Sequence, residues 1–359
     1  MRLFQDLLDQ SRQLNQTPNN NKKLNLPYHV PNHKYKTIIV SLKVPNLPAP
    51  LHYLNFFTVI GVDESSIFYN ESAIQTTALD TAVILVSSSP HMVGQLNSYS
   101  VSQDCFFNQQ EFQFAQREHI SGHFSSLLLE RVSDELSFEL EIEAVKPLNY
   151  FSKLRFNLAE HWSLTAFCCG VIVYKQQEYK INEIASFEFA RSSYLSYLSC
   201  AFYIYQLINI GDEQQIIFVQ CRNALSQLMY SRIYFKNIEK QNIQYFDTDV
   251  EFNIRRLYPK IKTPNNQFMY LPREFEWSYS NENFSIVLEG HSRGDFKFGL
   301  GAGFVGSFYY TLKVNDEIFE GTSGYGEYID CRDLKWQEQN KEDEMMKKFE
   351  QAVPLMFKK

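Results

Sequence analysis

The clearest pattern in the chain is a strict alternation of apolar and polar residues between Asp134 and Val145. Every second residue in this segment is apolar, and all but one of the residues between them are glutamates: the apolar positions are Leu136, Phe138, Leu140, Ile142 and Ala144. A period of two is typical of an antiparallel strand with one buried face and one solvated face. The segment therefore predicts such a strand.

Further short runs rich in β-branched and aromatic residues follow, and turn residues separate them. The predicted strands are 36–43, 81–87, 167–174, 178–189, 215–221, 225–235, 284–289, 304–314 and 317–329. Helical periodicity is confined to the two ends, at 1–15 and 343–353. Many short strands at this spacing predict an all-β fold of the sandwich or barrel type.

The strand pattern also divides the chain. A strand, a polar turn and a returning strand begin at Gly170, and a similar unit begins at Gly306. With 359 residues, the chain is longer than a single core usually supports. We therefore expect an N-terminal helix and linker at 1–34, a first barrel at 35–192, a second barrel at 193–333 and a helical tail at 334–359.

The composition of the chain limits the kinds of partner and the cellular location that we expect for the protein. The net charge of −7 and the lack of a basic tract argue against nucleic acid. The first residues lack the apolar core of a signal peptide, and the most apolar run, 192–211, contains too many polar residues for a membrane span. These features predict a cytoplasmic protein without a transmembrane segment, with its six cysteines as free thiols. No motif calls for a cofactor, and the oligomeric state stays open.

Two motifs match sequence signatures without the context that those signatures need. Gly290 to Gly294 has the spacing of a hydrolase nucleophile elbow, but His291 is the last histidine, so no base follows in the order that this fold requires. Gly301 to Gly306 has the spacing of a dinucleotide loop but leads into a strand-like segment. His119 and His123 would lie too far apart on a strand to share a metal. We expect no metal site.

The order of several motifs resembles the hydroxyneurosporene synthase (carotenoid hydratase) and AttH-like superfamily. The second half carries Gly303-Phe304-Val305-Gly306, then Phe319-Glu320-Gly321, and closes on Gly324-Tyr325-Gly326-Glu327-Tyr328. In the first half, His161-Trp162, Gly170 and the segment 178–191 look like the equivalent hairpin. The resemblance covers roughly 35–333 and implies two tandem lipocalin-like barrels. The first half departs from the family's pattern at Phe187-Glu188-Phe189, which lacks the glycines.

Glu327 and Glu188 are the candidate catalytic residues. Chemistry on an alkene must protonate carbon, and a carboxyl group in an apolar pocket stays protonated because burial disfavours its charged form. Alternation places Tyr325 and Glu327 on one face of their strand, and we expect both at the wall of an apolar cavity. The alternative is that each glutamate is an exposed or salt-bridged strand residue.

Tyr325, Trp277, Trp162 and His161 are the candidate ligand-binding residues, since aromatic walls with a polar tip suit an isoprenoid or acyl ligand. Three functions remain open. The chain could bind a lipid or isoprenoid in a barrel cavity, act on such a ligand as a cofactor-independent lyase or isomerase of the hydratase or cyclase type, or serve as a structural or partner-binding protein with filled barrels. A cavity with a buried carboxyl favours the enzyme, and a cavity without an ionisable group favours the carrier.

Overall fold

The computed structural model describes residues 9–16, 30–62, 67–193 and 200–332. Over these residues the predicted all-β fold is confirmed, because most of the chain forms two large barrel-like sheets. The described helices are short: α1 (Ser11–Gln16), α2 (Val101–Asp104) and single 3-10 turns at Glu71–Ala73, Ala78–Asp80 and Arg155–Asn157. The predicted C-terminal helix at 343–353 and the first eight residues of the predicted N-terminal helix lie outside the described residues.

The first sheet contains eleven strands. They are β1 (Thr37–Val44), β2 (Leu54–Ile60), β3 (Thr81–Ser87), β4 (Leu96–Ser100), β5 (Cys105–Phe107), β6 (Glu111–Phe114), β7 (Glu118–His123), β8 (Ser126–Arg131), β9 (Leu136–Lys153), β10 (Ala159–Tyr174) and β11 (Gln177–Ser192). Their order is β4-β3-β2-β1-β11-β10-β9-β8-β7-β6-β5. Side chains bring the two ends of this order close together, since Tyr99 on the end strand β4 donates to Glu118 on β7, two strands from the other end.

The second sheet contains ten strands. They are β12 (Cys200–Ile210), β13 (Gln214–Asn223), β14 (Leu228–Asn237), β15 (Asn242–Phe246), β16 (Glu251–Leu257), β19 (Pro272–Ser280), β20 (Ser285–Ser292), β21 (Lys297–Leu300), β22 (Gly303–Val314) and β23 (Glu317–Asp330). The order is β15-β14-β13-β12-β23-β22-β20-β19-β16, with β21 beside β22. A separate two-stranded sheet consists of β17 (Ile261–Lys262) and β18 (Phe268–Met269).

Each large sheet is built in the same way around its last strand. β11 pairs with β10 and also with β1, the first strand of its sheet. β23 likewise pairs with β22 and with β12. The two segments that echo each other in the sequence are therefore equivalent hairpins, and each joins the end of its sheet to the beginning.

Side-chain alternation creates three cores. One core fills the first sheet, a second fills the other sheet, and a third lies between them. On β1, Val40 and Leu42 point into the first sheet, whereas Ile39 points into the core between the sheets. All eight residues of β1 are buried, because the strand has a packed face on each side. The Ser292–Gly294 region runs through a turn into β21, and Gly301 lies in the turn before β22, so neither glycine motif precedes a helix within these residues.

The segment from Asp9 to α1, here called the N-terminal strap, joins the two sheets. The side-chain amide of Asn15 donates to the carbonyl of Tyr150 at 2.7 Å and accepts from its N–H at 2.9 Å. Arg12 forms an ion pair with Asp247 after β15, and Asp9 lies 3.7 Å from Arg232 on β14. The strap therefore contacts β9 of one sheet and the β14–β15 region of the other.

We expect Asn15→Ala to lower the free energy of unfolding by about 1–3 kcal/mol, because it removes two hydrogen bonds at a buried position. The matched control is Arg12→Ala, which breaks an ion pair whose arginine is about half exposed and should cost under about 1 kcal/mol. Urea denaturation measures both. Equal stability of Asn15→Ala and wild type would contradict the role of the strap.

Candidate functional site

Two neighbouring rows of polar side chains cross the first sheet on the face that meets the second sheet. Each row consists of residues that stand directly opposite one another on adjacent strands. The first row is Asn149, Ser163, Glu188 and Ser41, and the second row is Thr165, Ser186, Lys43, Asn55 and Ser87. All nine side chains are buried. Since apolar residues alternate with them and fill the first sheet, the fold places a polar band between the sheets.

Lys43 lies at the centre of this band. Its Nζ is 2.7 Å from Oε2 of Glu188 and 2.9 Å from Oε1 of Glu327, and it lies 3.8 Å from the ring centroid of Tyr205. Glu188 comes from β11 and Glu327 from β23, so the equivalent hairpins of the two sheets supply one carboxyl group each. The lysine and both carboxyl groups are almost completely buried. We call Lys43, Glu188, Glu327, Tyr325 and His161 the inter-sheet cluster.

The hydroxyl group of Tyr325 joins Asn55 to Glu327. Its hydroxyl oxygen is 2.8 Å from Oδ1 of Asn55 and 2.8 Å from Oε1 of Glu327. The amide of Asn55 is oriented by donation from Nδ2 to the carbonyl of Leu85, so its oxygen faces Tyr325 as an acceptor. One hydroxyl has one proton to donate. The hydroxyl of Tyr325 therefore donates to one of these two oxygens at a time, and it holds the carboxyl group of Glu327 beside Lys43.

The pKa values of the two carboxyl groups move in opposite directions. Burial alone would raise the pKa of Glu188, but the ammonium of Lys43 and the hydrogen bond from His161 lower it to about 2. Burial raises the pKa of Glu327, and the charge of Glu188 adds to this rise, while Lys43 opposes it only in part. Two carboxyl groups whose environments separate their pKa values can act as a base and an acid.

His161 is the most exposed member of the cluster, at 9%. Its Nε2 lies 3.2 Å from Oε2 of Glu188, and the ring of Phe151 packs edge-on against it with centroids 4.7 Å apart. Phe151 follows Tyr150, whose backbone the strap holds. The strap thereby fixes the residue that covers the outer end of the cluster.

Lys236 on β14 is a second lysine in the same interface. It is 2% exposed, and its Nζ lies 3.4 Å from Oγ of Ser163 and 3.5 Å from Oε1 of Gln215. Burial lowers its pKa to about 7, and the charge of Glu188 opposes this shift only in part. The amine is therefore poised to gain or lose a proton near neutral pH.

The structure brings together four of the six residues that the sequence singled out: Glu188, Glu327, Tyr325 and His161. The two tryptophans lie elsewhere. Trp162 packs against Phe124 and Phe189 inside the first sheet. Trp277 packs inside the second sheet against Phe218 and Phe252 and donates to Gln206. The sequence patterns did not single out Lys43, which lies between Leu42 and Val44 in a mostly apolar strand.

The spaces around the cluster differ in size. A cavity of about 20 Å³ lies inside the second sheet and is lined by Glu327, Gln206 and Phe308 among others. A volume of this size holds about one water molecule. A cleft of about 700 Å³ opens at the junction of the sheets, lined by Asn46 and His52 of the first and by Asn209, Tyr310 and Ser323 of the second. Ser323, Tyr325 and Glu327 alternate along β23 and so point to the same side.

Two other sequence expectations concern metals and membranes. His119 lies on β7, and its two ring nitrogens contact Glu130 and Glu111 at 3.0 and 2.9 Å. Within the described ranges, no group of three or more histidine, cysteine or acidic residues is arranged to hold a metal ion. Among the helices in the described part of the chain, none has the length and apolar character needed to cross a membrane.

Together these features define an all-β protein of two lipocalin-like barrels with a buried lysine–carboxyl cluster between them. The chain belongs to a family of unknown function, DUF6670, whose model matches residues 57–343. A comparison with curated protein sequences gives no match.

Two solved structures share the fold. An AttH-like protein from Nitrosomonas europaea has a TM-score of 0.58 at 12% identity, covering 87% of this chain and 98% of its own. Kievitone hydratase from Nectria haematococca has a TM-score of 0.54 at 10% identity, covering 88% and 98%. The AttH-like part of the predicted resemblance is confirmed at the level of the fold, and the likeness to hydroxyneurosporene synthases stays a prediction.

We expect Lys236→Met to stabilise the protein most at neutral and lower pH. The unfolded chain holds the lysine proton up to an ordinary pKa of 10.5, whereas the folded chain releases it near 7. The unfolded state therefore binds more protons between these values, and wild-type stability should rise by about 1.4 kcal/mol per pH unit relative to the variant. Urea denaturation of both proteins from pH 6 to 10 measures the difference. A pH-independent difference would contradict the burial of an uncompensated amine.

Proposed function

We propose that this protein is a cofactor-independent lyase or isomerase, of the hydratase or cyclase type, that acts on an apolar small molecule such as a lipid or isoprenoid. In this proposal the barrels at 35–192 and 193–333 are two domains that carry one site between them. The observation that supports it most directly is the contact of one buried lysine with two carboxyl groups whose pKa values move apart.

Each carboxyl group has a distinct role in this reaction. Glu327 donates its proton to an alkene carbon, and Tyr325 holds the carboxyl in place through a 2.8 Å contact. Glu188 removes a proton from a neighbouring carbon, or from the water that adds to the cation. After one turnover the proton has moved from Glu327 to Glu188. Lys43 lies within 3 Å of both groups and offers the shortest route for its return.

The junction cleft is the entrance that we assign to the substrate. Its floor includes Ser323, which precedes Tyr325 and Glu327 on the same face of β23. Successive residues on one face of a strand are about 6.5–7 Å apart, so Tyr325 lies one step and Glu327 two steps inward from the cleft. Both sheets line the opening, as a site shared by two domains requires.

A carrier of apolar ligands is the second candidate function, but the packing inside the barrels favours it less than the enzyme. The interior of each barrel contains aromatic side chains in mutual contact, including Trp162 in the first and Trp277 in the second. The cavity described inside the second sheet has room for about one water, which is far less than a lipid needs. A structural role would use the same ion pairs without turnover, and the experiment below separates these cases.

The test is deuterium labelling. We expect wild-type protein, incubated in D2O with a small-molecule extract of its own host, to place deuterium on carbon in at least one compound. Glu327→Gln keeps the shape of the side chain but removes the ionisable proton, so that labelling should fall at least about 100-fold, within the range for loss of a general acid. Mass spectrometry of the extract measures the label.

The matched control is Glu317→Gln, which changes an exposed glutamate on the same strand. It should label the extract as wild type does. Identical labelling patterns for wild type and Glu327→Gln would contradict the proposal. A compound that is retained by the protein but never labelled would support the carrier instead.

A further inference from the structure

The first polar row contains groups that find no protein partner. Neither Nδ2 nor Oδ1 of Asn149 has a hydrogen bond within the described structure, and the same holds for Oγ of Ser41. Asn149 and Ser41 are each 1% exposed. A buried polar group without a partner costs about 1–3 kcal/mol. Such groups are rare in folded proteins and call for a functional explanation.

Of these groups, Asn149 lies on the side of the row that is near Lys236. Asn149 stands directly opposite Ser163 on the neighbouring strand, and Oγ of Ser163 lies 3.4 Å from Nζ of Lys236. No carboxylate oxygen lies within ion-pairing distance of Lys236 among the described residues, so its charge is not compensated by a direct contact. Glu188 is the next residue in the row after Ser163. The unpartnered amide, the hydroxyl and the amine therefore lie together, next to the proposed base.

The hydrogen-bonding capacity of this group favours an oxygen that carries negative charge. The amide of Asn149 offers two donors and Lys236 offers up to three donors on a positive centre. The hydroxyl of Ser163, which also contacts Oγ of Ser186 at 2.8 Å, lies next to both residues. Hydrogen bonds from such donors to an ionised oxygen are about twice as strong as neutral ones. The negative charge of Glu188 is already held by Lys43 at 2.7 Å, so it does not neutralise Lys236.

We propose that Asn149, Ser163 and Lys236 form an oxyanion subsite for a carboxylate or enolate oxygen of the substrate. The subsite rests on the proposed function and names its substrate class: an apolar molecule with a carboxylate or an enolisable carbonyl. In the enolate case Glu188 removes the proton beside the carbonyl, and the electron pair of that C–H bond moves to the carbonyl oxygen. When Glu327 protonates the conjugated carbon, the pair returns to carbon and the carbonyl is restored.

Glu188 on β11 is the charged group that acts on Lys236, and the strands that pair with β14 place Gln215 and Ile243 opposite it. Glu188 raises the pKa of Lys236, and burial lowers it to about 7. An anion at the subsite stabilises the protonated amine, so that binding takes up a proton. Anion binding should therefore be tighter at pH 6 than at pH 8.

The experiment uses acetate as the probe and follows the side-chain amide of Asn149 by 1H–15N NMR in the full chain. We expect acetate, compared with sodium chloride at equal ionic strength, to shift this signal with saturation, and to do so more tightly at pH 6. Lys236→Met should weaken acetate binding about tenfold or more, because a charge-assisted hydrogen bond is lost. Lys236→Gln is the second variant in case the methionine disturbs packing.

Lys297→Met is the matched control, since Lys297 is also 2% exposed but donates to the backbone carbonyls of Ser89 and Asp295. It should bind acetate as wild type does. The absence of a saturable acetate shift in wild type, or an equal shift in both Lys236 variants, would overturn the subsite. Deuterium labelling that depends on Glu327, without a saturable acetate shift, would contradict the subsite but not the proposed reaction. A saturable acetate shift without deuterium labelling would contradict the proposed reaction but not the subsite.

Discussion

The contact of Lys43 with Glu188 and Glu327 is the interaction on which the arrangement of the two sheets depends. An isolated charge in a protein interior costs several kcal/mol, and only close pairing with good geometry offsets it. Lys43 and Glu188 lie on one sheet and Glu327 on the other. A shift of one sheet against the other would move the buried carboxyl group of Glu327 away from Nζ of Lys43, which lies 2.9 Å from it. This contact and other polar contacts between the sheets, such as the one between Tyr325 and Asn55, thus set their register.

The repeated architecture explains why the two glutamates meet. β11 and β23 are the last strands of their sheets, and each lies between the first strand and the preceding strand of its own sheet. When the sheets pack face to face, these central strands come close together. One residue on each, Glu188 or Glu327, points into the gap by alternation. Lys43 comes from the first sheet and breaks this symmetry. The two carboxyl groups therefore have different surroundings, and the pKa of Glu188 is lowered while the pKa of Glu327 is raised.

The alternation of apolar and polar residues was sufficient to predict the fold class and most of the central strands. It placed β3 correctly at 81–87, and it placed Tyr325 and Glu327 on one face. It could not show that β1 is buried on both sides, because burial of the second face comes from a sheet more than 150 residues away in the sequence. Lysine is rarely buried without a partner, and the residues near Lys43 in the sequence do not include its partners Glu188 and Glu327.

The same limit applies to the aromatic candidates and to the smaller strands. Trp162 and Trp277 have the size and position of cavity-lining residues, but their alternation directs them into the barrel cores, away from the cluster. Strands β5 and β6 are only three and four residues long, too short to show an alternation pattern of their own, and depend on their neighbours for pairing. Tertiary contacts therefore determine where the two tryptophans point and whether the short strands form. These contacts cannot be inferred from neighbouring residues in the sequence.

The central claim is that Glu327 holds a proton while Glu188 is ionised. Carbon-13 NMR of the glutamate side-chain carboxyl groups, assigned with Glu188→Gln and Glu327→Gln, tests it most directly. The account predicts that Glu188 stays ionised down to strongly acidic pH, whereas the Glu327 signal stays at its protonated position above the pH at which an ordinary glutamate ionises. Two signals that titrate together at an ordinary glutamate pKa would contradict it.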